Sequence, residues 1–585
     1  MRFSLKLLIA SLALVFGGAA LASAVQRSGG ASIEKIGFTG TGGLRMSGLL
    51  YVPSDATAQA PAPAVLAIHG YINSRETQSP YAIELARRGF VVLALDQTGH
   101  GYSDPPALAN GFGGPDGLSF LRTLPMVDKQ RIVLEGHSMG GWASLIAAGV
   151  LRDAYSAIVV SGASTGTFGA PEGDASFPRN FGLVYARHDE FSNLMWGVPI
   201  AGDIVQTAKL KKLFGTNETV EVGRTYGSIA AGTARKLYMP NQIHPANHIT
   251  TSGIGDVLDW IQQVVPAPHA LPTSDQIWYW KELGTALGLL GAILMLFAVG
   301  GLLLDSTFFE DLRGAPAEAH GATGPVFWIS VVLTLALPAL TYFPVQAEAA
   351  TLIKPSAALP QNITTGLMAW ALITGIVSLV LFALWHFTSA RSRGASAVHY
   401  GLVARGRATG PLVAKSFALA SIAVACAYVA LLVCDLVFTT DFRFWVVAAK
   451  PLSALQWRIT LSYIVPFTAY FLVLGIVLHG QLRAPSSQPS FARRMLRDAG
   501  LTAGGIIALL VVQYVPLLSG GTLAFPEQHL LSIVAFQLVF VLPVVGLSSS
   551  YFFSRTGLVY PGAFVNGLFV TWLLVGGQAT HFAFR

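Results

Sequence analysis

Beyond about residue 276 the sequence leaves few choices. It becomes a succession of apolar runs near 283–304, 325–345, 366–387, 416–438, 459–481, 499–518, 529–548 and 557–577. Each is about 20 residues long, enough for a helix to cross a bilayer. Hydrophobic residues make up 53% of the 585 and charged residues 11%, where a soluble domain carries roughly 25% charged. That imbalance marks an integral membrane protein of more than one domain. Most of the charge lies in residues 30–265. The formal charge of +7 does not call for a nucleic-acid partner, because much of the Arg sits in short loops between apolar runs.

Those loops also indicate orientation. With the N-terminus cytoplasmic, the inner loops hold 11 Lys and Arg: Arg313, Arg391, Arg393, Arg405, Arg407, Lys415, Arg483, Arg493, Arg494, Arg497 and Arg555. The outer loops and tail hold 5: Lys354, Arg443, Lys450, Arg458 and Arg585. Positive loops stay inside, so residues 30–265 are expected outside the cytoplasm. The start of the chain agrees. Arg2 and Lys6, an apolar run from Leu7 to Leu21 and Ala22-Ser23-Ala24 form a signal plan over 1–25, either cleaved or kept as an anchor.

Residues 30–265 read differently. Gly-rich alternating segments over 33–53 suggest antiparallel strands. Short apolar strands follow at Ala64–Ile68, Gly89–Asp96, Arg131–Glu135, Ala157–Ser161, Phe181–Ala186 and Arg235–Met239, with helical stretches between several of them. Buried strands alternating with helices imply an α/β domain, a doubly wound and mostly parallel sheet. A Pro-containing linker over 266–281 ends in the interfacial cluster Trp278-Tyr279-Trp280, and 282–585 is expected to be an all-α transmembrane bundle of about eight helices. The two cysteines, Cys426 and Cys434, share one apolar run, so no disulfide framework is available to the α/β part.

The chemistry centres on Gly136-His137-Ser138-Met139-Gly140-Gly141, set between a strand and a helix. There the pattern G-x-S-x-G becomes a nucleophile elbow, with glycines relieving crowding around a strained serine. The N–H of Met139, at a helix N-terminus, can face a developing oxyanion. Asp189 follows the strand at 181–186, with Glu190 as its rival. His244 and His248 follow the strand at 235–239. The order Ser138, Asp189, His248 supplies nucleophile, orienting acid and base. His248 is preferred because it lies just before a closing helix at about 252–260; His244 is assigned to bracing the loop, and His137 to packing.

His69-Gly70, the stretch Asp96-Gln-Thr-Gly-His-Gly-Tyr-Ser-Asp104 and the elbow, each after a strand, resemble the α/β-hydrolase superfamily over about residues 33–265. The version is similar to the serine-aminopeptidase-like and dienelactone-hydrolase-like branches. The resemblance implies the backbone N–H of Tyr71 as second oxyanion donor and gives the Gly99-His100-Gly101 turn a structural role. Fold does not select the substrate. Met195-Trp196 and Leu213-Phe214 suit either an acyl pocket or ordinary packing.

The expectation is a membrane-anchored serine hydrolase of an ester, thioester or amide, multi-pass in a bacterial cell membrane, with membrane lipids and a small-molecule, lipid or peptide acyl substrate as partners. An acyltransferase, or a transporter or sensor with a ligand-binding hydrolase-like domain, is the alternative. No cofactor or metal is expected: His244 and His248 lack the adjacent Glu and the helix of a zinc motif. Within the apolar runs Asp435 is the acid that stands out, with Gln513, Gln537 and Asn566 as buried amides and Pro338, Pro466, Pro516 and Pro543 as helix prolines.

Overall fold

The computed structural model describes residues 2–404, 406–485 and 489–584. Met1 of the signal plan and Arg405 and Arg585 of the loop bias lie outside the described residues. The chain forms two compact units. One comprises Met1–Ala19, Thr285–Val512 and Leu530–Gly576; the other comprises Ala20–Gly284, Gln513–His529 and Gly577–Arg585. A cut at the 266–281 linker therefore does not separate the units. Two short segments from the apolar half belong with the α/β part.

The sheet of this α/β unit has nine strands: β1 Ser32–Thr39, β2 Arg45–Val52, β3 Ala62–Ile68, β4 Val91–Asp96, β5 Val127–His137, β6 Ala157–Ser161, β7 Phe181–Val184, β8 Thr225–Tyr226 and β9 Arg235–Tyr238. Their order is β1-β2-β4-β3-β5-β6-β7-β9-β8. β1 and β2 pair antiparallel, as does β2 with β4. From β4 across to β9 every pairing is parallel, and the two-residue β8 closes the edge antiparallel. β3, β4, β6 and β7 are buried along their whole length. That is why they read as unbroken apolar runs: helices cover both faces of a parallel sheet. β5 is longer than its apolar centre suggested, because polar residues Asp128 to Arg131 also extend.

The closing helix Thr251–Val264 starts where the Thr250 side chain accepts the N–H of Gly253, which satisfies one of the unpaired first-turn donors. Its Trp260 is fully buried and donates its indole N–H to the Ile158 carbonyl at 3.0 Å. Helix Ser79–Arg87 carries a buried charge pair. Arg88 Nη1 lies 2.9 Å from Glu84 Oε2, with neither side chain exposed. The other oxygen of Glu84 accepts the N–H groups of Ile277 and Trp278. One carboxylate thus ties the linker to the domain.

Nine helices among the described residues are long and apolar enough to cross a membrane: Arg2–Gln26, Trp278–Leu304, Gly324–Leu352, Asn362–Arg393, Thr409–Phe438, Ala454–Gln481, Phe491–Leu518, Pro526–Thr556 and Tyr560–Gly577. Pro338, Pro466, Pro516 and Pro543 lie inside them, as does Pro344. In the helical unit, Gly291 lets helix Trp278–Leu304 approach the N-terminal helix closely; a Cβ there would stand 2.7 Å from the Ser11 carbonyl. Gln537 donates to the Val446 carbonyl and Asn566 to that of Val545, so these amides satisfy main-chain acceptors. Asp435 is only half-buried. A fully buried acid in the helical unit is Asp498, which accepts from Arg497 Nε at 2.9 Å and lies 3.8 Å from the His479 ring. The sequence reading began that span at 499, whereas the helix starts at Phe491.

Breaking a buried pair leaves an uncompensated charge, which costs about 3–5 kcal/mol. Glu84→Ala is therefore expected to destabilise the α/β unit by that order. The measurement is denaturant unfolding of the purified full chain; a change under 1 kcal/mol would contradict the structural role given to the pair.

Candidate active site

Ser138 sits between the end of β5 and helix Met139–Val150 with φ 55° and ψ −120°, a region that costs a non-glycine residue energy unless its surroundings enforce it. Here they do. The Ser138 N–H donates to the Ser161 carbonyl of β6 at 2.8 Å, and its own carbonyl accepts from Gly141. A Cβ on Gly140 would lie 2.0 Å from the Ile68 carbonyl oxygen, and one on Gly136 2.2 Å from that of Gly140. Both glycines are thus required by contact with backbone that cannot move aside.

The Asp189 carboxylate and the His244 ring meet just past the paired ends of β7 and β9. Val184 pairs with Tyr238 at the end of the regular strands. Past them the pairing continues with one extra residue on the β9 side: the Arg187 N–H donates to the Pro240 carbonyl but the His188 N–H to that of Gln242, and His188 bridges Ile243 in parallel. The next residue on each chain is Asp189 and His244. His244 Nδ1 and Asp189 Oδ2 are 2.9 Å apart, and both side chains are buried. The expectation that His248 is the partner of Asp189 is therefore corrected in favour of His244. The chain turns at once through His244–Ala246, which carries His248 past the acid. Its ring lies edge-on to that of His137, centroids 5.1 Å apart.

Burial opposes protonation of His244, but the charge and hydrogen bond of Asp189, with Glu190 beyond, outweigh it and lift the imidazole above its ordinary value. His137 is held well below its ordinary value by burial and by the neighbouring His244 and His248. It remains a neutral spacer whose Nε2 lies 3.2 Å from the His244 carbonyl oxygen.

The remaining expected residues fall around the serine. Met139 opens the helix after Ser138. Gly70 passes so close that a Cβ on it would lie 3.1 Å from the Ser138 Cβ, which brings the neighbouring Tyr71 beside the elbow. The ring of His69 is fixed: the Gln97 N–H donates to its Nε2, so Nδ1–H donates to the Gly70 carbonyl at 2.7 Å. The Tyr71 hydroxyl pairs with His581 Nε2 at 2.8 Å. Asp96 has a structural role, accepting the N–H groups of Arg75 and Tyr102.

Glu190 does not replace Asp189 but joins it. Its Oε2 accepts the His244 backbone N–H at 2.8 Å and its Oε1 accepts the Tyr514 hydroxyl, also at 2.8 Å. Burial and the adjoining Asp189 push its carboxyl up to about 7. A cavity of about 370 Å³ opens beside the two acids, bordered also by Leu194, Leu517, Leu523 and His529. Met195, Trp196, Leu213 and Phe214 are all buried, so they pack the segment that bears them. Among the described residues no three His, Cys, Asp or Glu side chains are grouped to hold a metal ion. Tyr514 and His581 had no sequence signal, since each lies more than 300 residues from its partner.

Residues 63–279 match the family model described as the alpha/beta hydrolase fold, which supports the α/β-hydrolase superfamily for this part of the chain. The chain is 28% identical over 176 residues to a polyketide transferase of Aspergillus fumigatus, covering 28% of this chain and 56% of the relative. It is 31% identical over 126 residues to a thiohydrolase of Arthrinium phaeospermum, covering 20% and 39%. It is 34% identical over 100 residues to the 2-(acetamidomethylene)succinate hydrolase of Mesorhizobium japonicum, covering 17% and 34%. The chain thus spans about half or less of the length of these relatives. Among solved structures, a hypothetical protein of Pseudomonas aeruginosa is 15% identical with a TM-score of 0.29, over 40% of this chain and 94% of that one. Family match and hydrolase-named relatives together support an enzyme of hydrolase type.

Because the Gly140 position faces a carbonyl that cannot yield, Gly140→Ala is expected to cost about 1–3 kcal/mol through overpacking and to displace the elbow. Thermal unfolding of the full chain checks the first part; an unchanged melting temperature would refute the close approach.

Proposed function

We propose that this protein is a membrane-anchored serine hydrolase that cleaves an ester, thioester or amide through an acyl-enzyme. Ser138 Oγ attacks the carbonyl carbon while His244 Nε2 takes its proton. Asp189 keeps the Nδ1 proton in place and stabilises the imidazolium. The N–H groups of Tyr71 and Met139 hold the oxyanion. His244 then returns its proton to the leaving group, and water, deprotonated by the same imidazole, releases the acyl product. The observation that carries this reading is the 2.9 Å contact of Asp189 with His244, beside a serine held in a strained elbow. The same residues serve an acyltransferase if an alcohol, amine or thiol replaces water. The similarity to a protein named as a polyketide transferase favours keeping that second reading. The apolar helices support an anchored enzyme, and Trp278-Tyr279-Trp280, with Tyr279 and Trp280 exposed, suits the interface of a bilayer. Loop charge supports an extracytoplasmic catalytic unit, and the aromatic cluster next to that unit supports lipid or lipid-like acyl substrates.

A fluorophosphonate probe applied to membranes containing the full chain tests the assignment. Labelling is expected in the wild type and in His248→Ala, and loss of labelling in Ser138→Ala and His244→Ala. Loss in His248→Ala with retention in His244→Ala would reverse the choice of base. Because Asp189 lifts the imidazole, the labelling rate is expected to fall as pH is lowered through a value above the ordinary histidine range of about 6.5. A half-point at or below that range would contradict the pairing. Product analysis with added alcohols or amines separates transferase from hydrolase, and long-chain esters in vesicles are expected to outcompete short soluble ones.

A further inference from the structure

Three consecutive residues grip one histidine. Asp189 takes the His244 ring nitrogen, Glu190 takes its backbone N–H, and the Phe191 ring lies against its imidazole with centroids 4.5 Å apart. The first of these is the triad contact. The other two are held from behind by a segment more than 300 residues away in the chain. Tyr514 donates its hydroxyl to Glu190, and His529 packs edge-on to Phe191, centroids 4.4 Å apart. Between those ends the segment is braced on itself. The Gln513 amide donates to the Phe525 carbonyl and accepts the Phe525 N–H, while the Ala524 N–H donates to the Gln513 carbonyl. It is also pinned to the acid-bearing loop, where His188 Nδ1 lies 3.2 Å from the Leu517 carbonyl oxygen.

We propose that Gln513–His529 is a positioning element of the catalytic base, acting through Tyr514 on Glu190 and through His529 on Phe191, so that the hydrolase site is incomplete without this piece of the apolar half. The proposal rests on the hydrolase reading above. Glu190 and Tyr514 are positioning residues: neither needs to touch substrate. Glu190 has a double effect. Its backbone bond sets where the loop holds the imidazole, and its charge favours the protonated ring. A displacement of about 1 Å in a catalytic group can slow a reaction by up to 100-fold.

The titratable groups facing His244 are Asp189 and Glu190 from the loop after β7, His137 from the elbow and His529 from the Gln513–His529 segment, with His248 further along its own loop. Those facing Glu190 are Asp189, His244, Tyr514 and Tyr185. Of these contacts, Glu190→Gln removes a single charge while its amide can still accept from His244 and meet the Tyr514 oxygen. Tyr514→Phe removes the donor that favours the Glu190 anion, so the carboxyl stays protonated to higher pH. Both changes withdraw negative charge from His244, and both lower the pH at which it loses its proton.

The test is the rate of fluorophosphonate labelling against pH for the full chain in membranes. Tyr514→Phe is expected to slow labelling about 10-fold and to move the acid limb to lower pH. Glu190→Gln is expected to move the limb the same way, and the double variant no further than Glu190→Gln alone. Wild-type rates and an unmoved limb in Tyr514→Phe and Glu190→Gln would overturn the proposal while leaving the hydrolase reading intact. A wild type that is folded and never labelled overturns both. If Tyr514→Phe fails to fold, Glu190→Gln decides: a shifted limb supports the proposal and an unshifted one overturns it.

Discussion

The arrangement of the α/β unit depends on one constraint, the register between β7 and β9. Parallel strands present successive residues side by side at their carboxyl ends, and the pairing here continues through His188 and Ile243. Past the regular strands that pairing gains one residue on the β9 side, and this shift sets Asp189 beside His244 where the unshifted ladder would have set Ile243. The elbow on β5 is set by the same lattice, since the Ser138 N–H is bound by β6 and Gly140 lies against the end of β3. Ser138, His244 and Asp189 thus come from three strand ends held by one set of backbone hydrogen bonds.

Much of this could be read from the residues. Unbroken apolar strands, the glycine-flanked Ser138 and the acid after β7 are all local signals, and each stands where it was expected. The choice between His244 and His248 is not local. It depends on which residue of one strand end faces a residue of another, and the extra residue that shifts the pairing after β9 has no local sign, so proximity to the closing helix is a weak guide. The two-residue β8 and the polar start of β5 carry too little hydrophobic pattern to be seen. Asp498 escaped because an Arg-rich turn, Arg493 to Arg497, looks like a loop until the helix is found to run through it.

The apolar half contributes more than length. Its segment at Gln513–His529 and its tail at Gly577–Arg585 belong to the α/β unit. The tail exchanges backbone hydrogen bonds at Thr580 with Gly99 and Ala107, and its His581 reaches the Tyr71 hydroxyl. Both sides of the serine are therefore braced by residues that no pattern in the first 280 positions announces. Such long-range pairs are what local reading misses: each partner alone is an ordinary Tyr, Glu or His.

The discontinuity of this unit has a consequence for its synthesis. Ser138, Asp189 and His244 leave the ribosome early, whereas Tyr514, His529 and His581 follow only after most of the apolar helices have been made. A nascent chain thus carries Ser138, Asp189 and His244 for hundreds of residues before Tyr514 can reach Glu190 and His581 can reach Tyr71. The contacts that Tyr514 and His581 make are therefore among the last that translation makes available.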